Sequence, residues 1–198
     1  MGDLATSGHE FVVGLALGAI GIPAGLIVGS VRRLGLALDP IINGIYSTPT
    51  LALTPLFVIW FGLGIESKVA IVFIMAFFPL LINTAAGVKT VDDRLIQAAR
   101  SFGAGRIHLY RDVIFPGTLP FIISGIRLAI GRAIIGVVIG EFIASVEGIG
   151  YRIRAAAASF KTDEYLAGVM ILIVISIVLN VLLKALERRL APWRTVEN

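Results

Sequence analysis

Five continuous apolar runs set what this chain can fold into: roughly Phe11–Val31, Ile41–Leu63, Val69–Val88, Leu119–Ala144 and Tyr165–Lys184. Each is close to the ~20 residues that a helix needs to cross the hydrocarbon core of a bilayer. The runs are unbroken rather than alternating, which predicts helices and not the strands of a barrel. With 57% hydrophobic residues, only 15% charged and a mean hydropathy of +0.93, a water-soluble fold is not expected. The expected class is therefore all-α, a polytopic transmembrane helical bundle of five spans forming one domain over residues 1–198, with residues 89–116 as a loop inside it.

The basic residues sort by side. Placing successive loops on alternate faces, one face collects Arg32, Arg33, Lys89, Arg94, Arg100, Arg106, Arg111, Lys184, Arg188, Arg189 and Arg194, and the other only Lys68, Arg152, Arg154 and Lys161. The excess of Lys and Arg in short cytoplasmic loops makes the first face cytoplasmic. The N-terminus is then expected outside, the 89–116 loop and the C-terminus inside, and the pI of about 9.8 reflects topology. The first 31 residues lack the basic leading segment of a cleavable signal. The arginines are scattered over short loops and form no continuous basic stripe, so no nucleic-acid partner is expected.

The chain has no cysteine, and His9 and His108 stand in no metal-ligand spacing. Neither a hydrolase nucleophile motif, a His-Glu-x-x-His helix nor a Walker A loop occurs, so no catalytic residue, bound metal or cofactor of the chain's own is expected. Gly14 and Gly18, then Gly21, Gly25 and Gly29, recur every four residues in the first span, a spacing that lets another backbone approach closely. In the second span Pro49 and Pro55 each remove a backbone donor and predict a kinked helix, static or opening, with Thr48, Thr50 and Thr54 available to the freed carbonyls. Trp60 and Trp193 fall where indoles sit at membrane interfaces.

Between the third and fourth spans lies a polar island. Over Asp92–Phe102, Leu95, Ala99 and Phe102 share one face of a helix while Arg94, Gln97 and Ser101 share another. Gly103 and Gly105 interrupt it, and Ile107, Tyr110 and Ile114 resume the period until Pro116 and Pro120 halt the surface segment and open the next span. The expected outline is helix, Gly bend, helix. Two uses fit it: lying on lipid headgroups, or entering a groove on a cytosolic partner.

The segment Gln97-Ala-Ala-Arg-Ser-Phe-Gly103, nine residues, Val113-Ile-Phe-Pro116 resembles the EAA loop of ATP-binding-cassette importer permeases: Glu-Ala-Ala, three residues, Gly, nine residues, Ile, one residue, Leu-Pro. Gln97, Val113 and Phe115 replace Glu, Ile and Leu. Leu38-Asp-Pro40, Thr54-Pro-Leu-Phe-Val-Ile-Trp-Phe-Gly-Leu-Gly64, Asn83-Thr-Ala-Ala-Gly87, Gly125-Ile-Arg-Leu-Ala-Ile-Gly-Arg132 and Gly148-Ile-Gly-Tyr151 extend the similarity to the permeases of the nitrate, aliphatic sulfonate, taurine and bicarbonate group. That group usually has one more span ahead of the region matching Thr6–Val31, so this chain is expected to hold the six-span core less its first helix.

The resemblance implies a subunit of the bacterial cytoplasmic (inner) membrane that performs no chemistry itself. It implies a second permease copy, most simply a homodimer, a cytosolic ATPase dimer carrying ATP–Mg, and an extracytoplasmic solute-binding protein. It also implies that Gln97, Ala98, Ala99 and Gly103, with Val113 and Pro116 completing the motif, couple the chain to the ATPase. Within the fourth span Arg127, Arg132 and Glu141 are charges in an apolar setting. Arg132, nearest mid-span and on the side of Gly125, Gly136 and Gly140, is expected to face another helix or the solute path, where a cation suits an anionic solute; a structural arginine bonded within the bundle is the other reading. Hydropathy alone also admits an ion-coupled secondary transporter.

Overall fold

The computed structural model describes residues 2–190, with side chains through Ala185. Trp193 and Arg194, and the side chains of Arg188 and Arg189, lie outside the described residues. Among those described the fold is all-helical, in the order α1 (Gly2–Gly18), α2 (Gly21–Ser30), α3 (Arg32–Ser47), α4 (Thr50–Phe61), α5 (Ile65–Lys89), α6 (Asp93–Ser101), α7 (Arg106–Leu109), a π-turn (Tyr110–Ile114), α8 (Phe115–Ala144), α9 (Ile149–Ala158) and α10 (Thr162–Leu190). Four stretches are long and apolar enough to cross a membrane: Gly2–Ser30, Ile65–Lys89, Arg106–Ala144 and Thr162–Ala185.

The expected second span is not one straight helix. α3 and α4 meet at a bend of 91°, so they make a fifth crossing only as a broken pair. Pro49 causes the break: it cannot donate to the Ile45 carbonyl, which instead accepts from Thr48 N at 3.1 Å. Thr48 Oγ1 donates to Gly44 O at 3.0 Å and Thr54 Oγ1 to Thr50 O at 3.1 Å, carbonyls one residue before those that Pro49 and Pro55 free at Ile45 and Leu51, which no threonine hydroxyl bonds among the described residues. Pro23 does the same more mildly in the first span. The carbonyl it leaves at Ala19 accepts a tighter bond from Ile22 N at 3.0 Å, and the helix jogs there between α1 and α2.

Pro116 and Pro120, expected to end the loop segment, do not interrupt the helix. The chain runs helically from Arg106 to Ala144, and the donor missing at Pro116 is accommodated by widening: Phe115 N bonds Tyr110 O five residues back. The fourth span therefore extends well past the expected start at Leu119. α9, on the segment read as a plain connection, is a further helix packed on α8 and α10.

α5 is the central element. Ile71, Val72, Ala76 and Leu80 on it are essentially inaccessible, with Ala129 and Ala133 of α8 equally buried against them. The glycines of the first span are what permit this. A Cβ on Gly14 would stand 2.5 Å from Val72 Cβ, on Gly18 2.6 Å from Ala76 Cβ, on Gly25 2.6 Å from Leu81 O, and on Gly29 2.7 Å from Val88 Cβ. From the other side Gly125 faces Asn83 and Gly136 faces Val72 Cα. Lipid tails are as apolar as leucine, so burial gives little drive between spans and contact of this closeness supplies the cohesion.

At the end of the bundle away from the α6 loop, buried polar groups add a second tie. Glu10 of α1, fully buried, is ion-paired with Lys68 of α5, whose ammonium also donates to Ser145 Oγ at 3.2 Å. Glu141 of α8, also fully buried, accepts from Ser7 Oγ and, at 2.6 Å, from Gly150 N. Ser7 Oγ in turn accepts from Ile149 N at 3.1 Å, and Asp3 accepts from Gly148 N at 3.0 Å and from Arg152 Nε at 2.5 Å. Side chains of α1 and α8 thus satisfy the first amides of α9, which otherwise have no partner in the helix.

Two outcomes follow from this packing. Gly25→Val, which drives a side chain into Leu81 O and Thr84, is expected to cost at least the ~1–3 kcal/mol of overpacking and to lower the melting temperature in detergent, whereas Gly44→Ala, with nothing within 4 Å, leaves it unchanged. Lys68→Met strands the Glu10 carboxylate at a cost of about 3–5 kcal/mol, and the double change Lys68→Met with Glu10→Leu restores most of the lost melting temperature; a double variant no better than the single one would rule out the pair as the cause.

Candidate functional site: the loop helices and an intramembrane arginine

The loop's geometry is set by its two ends. Asp92 caps α6, its carboxylate accepting Arg94 N at 2.8 Å, and Asp93 and Arg100 sit at the ends of the helix that favour their charges. α6 closes with Ala104 N bonding Ala99 O at 3.0 Å and Gly103 N bonding Arg100 O at 2.9 Å. That paired closure needs a left-handed residue, and Gly103 supplies it at φ 79°. The glycine of the motif is thus a requirement of the helix end. No atom lies within 4 Å of where its side chain would be, so it is not a packing glycine.

Among the six motif positions, Gln97, Ala98, Gly103 and Pro116 are exposed, while Ala99 and Val113 are half-buried. Leu109 and Ile114 are buried and root the second limb in the bundle. Leu95, Phe102 and Ile107 point outward, Phe102 at 92% and Ile107 at 80% exposure. Beneath α6 lies a cavity of about 460 Å³ where Lys89, Arg100 and Arg106 meet the ends of α2 and α5. The 39 residues from Arg106 to Ala144 make a helix of ~58 Å, against a hydrocarbon core of ~30 Å. The helix is therefore longer than the hydrocarbon core by about 28 Å.

The three charges expected in the fourth span are not brought together. Glu141 belongs to the buried cluster that holds α9, and its carboxylate is occupied by Ser7 and Gly150. Arg127 is on an exposed stretch of α8. Arg132 is exposed too, on an edge of α8 rather than among Gly125, Gly136 and Gly140, which are buried against α5. Its guanidinium lies 5.1 Å from the ring centroid of Tyr46 and donates to the Tyr46 hydroxyl at 3.2 Å. Through Tyr46 it contacts α3. Arg132 and Tyr46 line a cavity of about 400 Å³ with Ser47, Thr48, Pro49 and Thr50 of the α3–α4 break and with Leu51, Met75 and Ile139.

Sequence reasoning missed Asp3, Ser7, Glu10 and Lys68. The available signal was a carboxylate and an ammonium near the same end of two apolar spans, where an isolated charge is costly.

The chain matches the model of the binding-protein-dependent transport system inner membrane component over residues 21–195. It is 40% identical over 173 residues to the taurine transport system permease protein of Escherichia coli (strain K12), covering 87% of this chain and 63% of that one. It is 37% identical over 194 residues to a putative aliphatic sulfonates transport permease protein of Bacillus subtilis (strain 168), covering 98% and 70%. This chain thus spans somewhat under two thirds of the length of the first relative. A crystal structure of an amino acid ABC transporter with histidines superposes with a TM-score of 0.69 at 22% identity, over 96% of this chain and 92% of that one, which shows a shared fold. The chain is an integral membrane protein, and it belongs to the family of binding-protein-dependent transport system inner membrane components.

Proposed function

We propose that the chain is the membrane-spanning permease subunit of an ATP-driven importer in the bacterial inner membrane, moving a small organic anion of the taurine and sulfonate class. The observation that carries the reading is the exposed apolar tip of Leu95, Phe102 and Ile107 on the helix pair of the 89–116 loop. Exposed apolar residues gathered on such a tip fit the groove of a protein partner. An ATPase subunit that receives α6 would move the tip, and the uninterrupted helix from Arg106 to Ala144 would carry the displacement into the spans. Two such permease copies with two ATPase subunits make a symmetric machine in which ATP–Mg is bound and hydrolysed on the partners. An extracytoplasmic binding protein delivers the solute on the other face.

Ala98 shares the side of α6 with Leu95 and Phe102, and Gln97, also exposed, lies on the side of Arg94 and Ser101. Gln97 is neutral where the family motif has Glu, so contact there rests on hydrogen bonding and shape rather than on a charge pair. The anionic solute class is supported by the kinship with taurine and sulfonate permeases and by a mid-span cation, Arg132.

In a purified complex, Phe102→Asp is expected to reduce co-purification of the ATPase at least tenfold, in keeping with the ~2 kcal/mol or more lost at an interface anchor, while Phe102→Leu keeps it. Gly103→Leu, forced into a left-handed backbone, is expected to abolish uptake; wild-type uptake with normal ATPase association would refute the docking. Ion-driven uptake by the isolated chain without ATP would point instead to a secondary transporter.

A further inference from the structure

The geometry points to the Arg132 cavity at the α3–α4 break as a binding site for a small oxyanion with a short apolar body, an alkylsulfonate being the best fit; the assignment rests on the importer reading above and deepens it. Three observations carry it. The first is the state of Arg132. Its contacts are the ring and hydroxyl of Tyr46, both uncharged, and no carboxylate lies within ion-pair distance of it among the described residues. A permanently charged guanidinium halfway along a span is costly unless it meets an anion or water. The second is the backbone. Thr48 and Pro49 are non-helical at the same depth, and irregular backbone inside a membrane is tolerated where it is buried in protein or lines a water-filled cavity. Ser47, Thr48 and Pro49 are exposed in the single chain, so they line an open cavity rather than packed protein.

The third is the lining. Tyr46, Ser47 and Thr50 bring hydroxyls to the lining beside Arg132, and Leu51, Met75 and Ile139 contribute apolar wall. The guanidinium fork presents parallel donors to two oxygens of one head group, and hydroxyls take the rest. The apolar wall accommodates one or two methylenes, which an inorganic anion lacks. About 400 Å³ is ample for a solute of that size. Tyr46 fixes the resting position of Arg132 by stacking, which leaves donors of the fork for the ligand.

The chain has no cysteine, so Ser47→Cys gives a single reporter in this cavity. In the assembled transporter, an anionic ethylsulfonate thiosulfonate reagent is expected to label that cysteine roughly tenfold faster than the cationic trimethylammonium analogue, a preference of the size one nearby charge gives in a partly screened site. Taurine or ethanesulfonate should slow the labelling, and adding Arg132→Gln should abolish the preference. An unreactive cysteine, or a preference that survives Arg132→Gln, overturns the site. Uptake separates this from the importer reading. Arg132→Gln is expected to cut ATP-dependent taurine uptake at least tenfold with the ATPase still bound, and Arg132→Lys to recover part of it. Wild-type taurine uptake by Arg132→Gln would overturn the site and leave the importer standing; ATP-independent uptake with anion-selective labelling intact would overturn the importer and leave the site.

Discussion

Everything in this bundle depends on how closely other backbones approach α5. In water a helix of such composition would be held by the removal of apolar surface from solvent; in lipid that drive is absent, and contact area at short range must replace it. Glycines of α1 and α2 on one side and of α8 on the other bring main chain to within reach of Val72, Ala76, Leu81 and Ala85. On the α1–α2 side each approach is closed to any larger residue, and on the α8 side each is tight. The result is a three-layer wall, α1–α2, α5, α8, whose middle member is buried along its length while α10 packs mainly on α9 and α8 and, among the described residues, leaves most of its surface open.

A wall of that kind resists sliding poorly unless something sets its register, and the buried polar groups at the far end do so. Lys68 can reach Glu10 and Ser145 only at one axial position of α5 against α1 and α8. Glu141 bonds Ser7 and Gly150 only when α9 turns back where Gly148, at φ 109°, allows it. Removing one partner of such a pair is far worse than never having had it, because the survivor keeps its desolvation cost.

Much of this was legible in the residues. The apolar runs identified the crossings, the four-residue glycine spacing identified a packing face, and the glycine pair at Gly103 and Gly105 identified a bend, since each signal is local and periodic. What failed was non-local or compensated. Pro49 signalled a kink, yet a bend of 91° depends on space that the neighbouring helices provide. Pro116 signalled an end, yet the helix widened by one residue per turn and continued, a response that sequence period cannot reveal. Glu141 read as a charge in a span and turned out to be a partner of α9, because its bonds come from Ser7 and Gly150, the first far away in the chain.

The helix from Arg106 to Ala144 carries the loop tip at one end, Arg132 in its middle and Glu141 near its other end. Its far end is fixed against α1 and α9 by buried hydrogen bonds and its centre against α5 by close contact, so a force applied at the tip cannot simply translate it. Bending is the remaining freedom, and the π-turn at Tyr110–Ile114, where the helix is already widened, is a natural place for it on the loop side. On the membrane side the contact of Arg132 with Tyr46 joins this helix to α3 immediately before the α3–α4 break. Any tilt of α8 at that depth therefore acts on a joint where no helical hydrogen bonds need be broken. In the importer reading, displacement at the cytosolic tip and opening at mid-membrane are then two ends of one lever, with Arg132 at the point where the lever meets the joint.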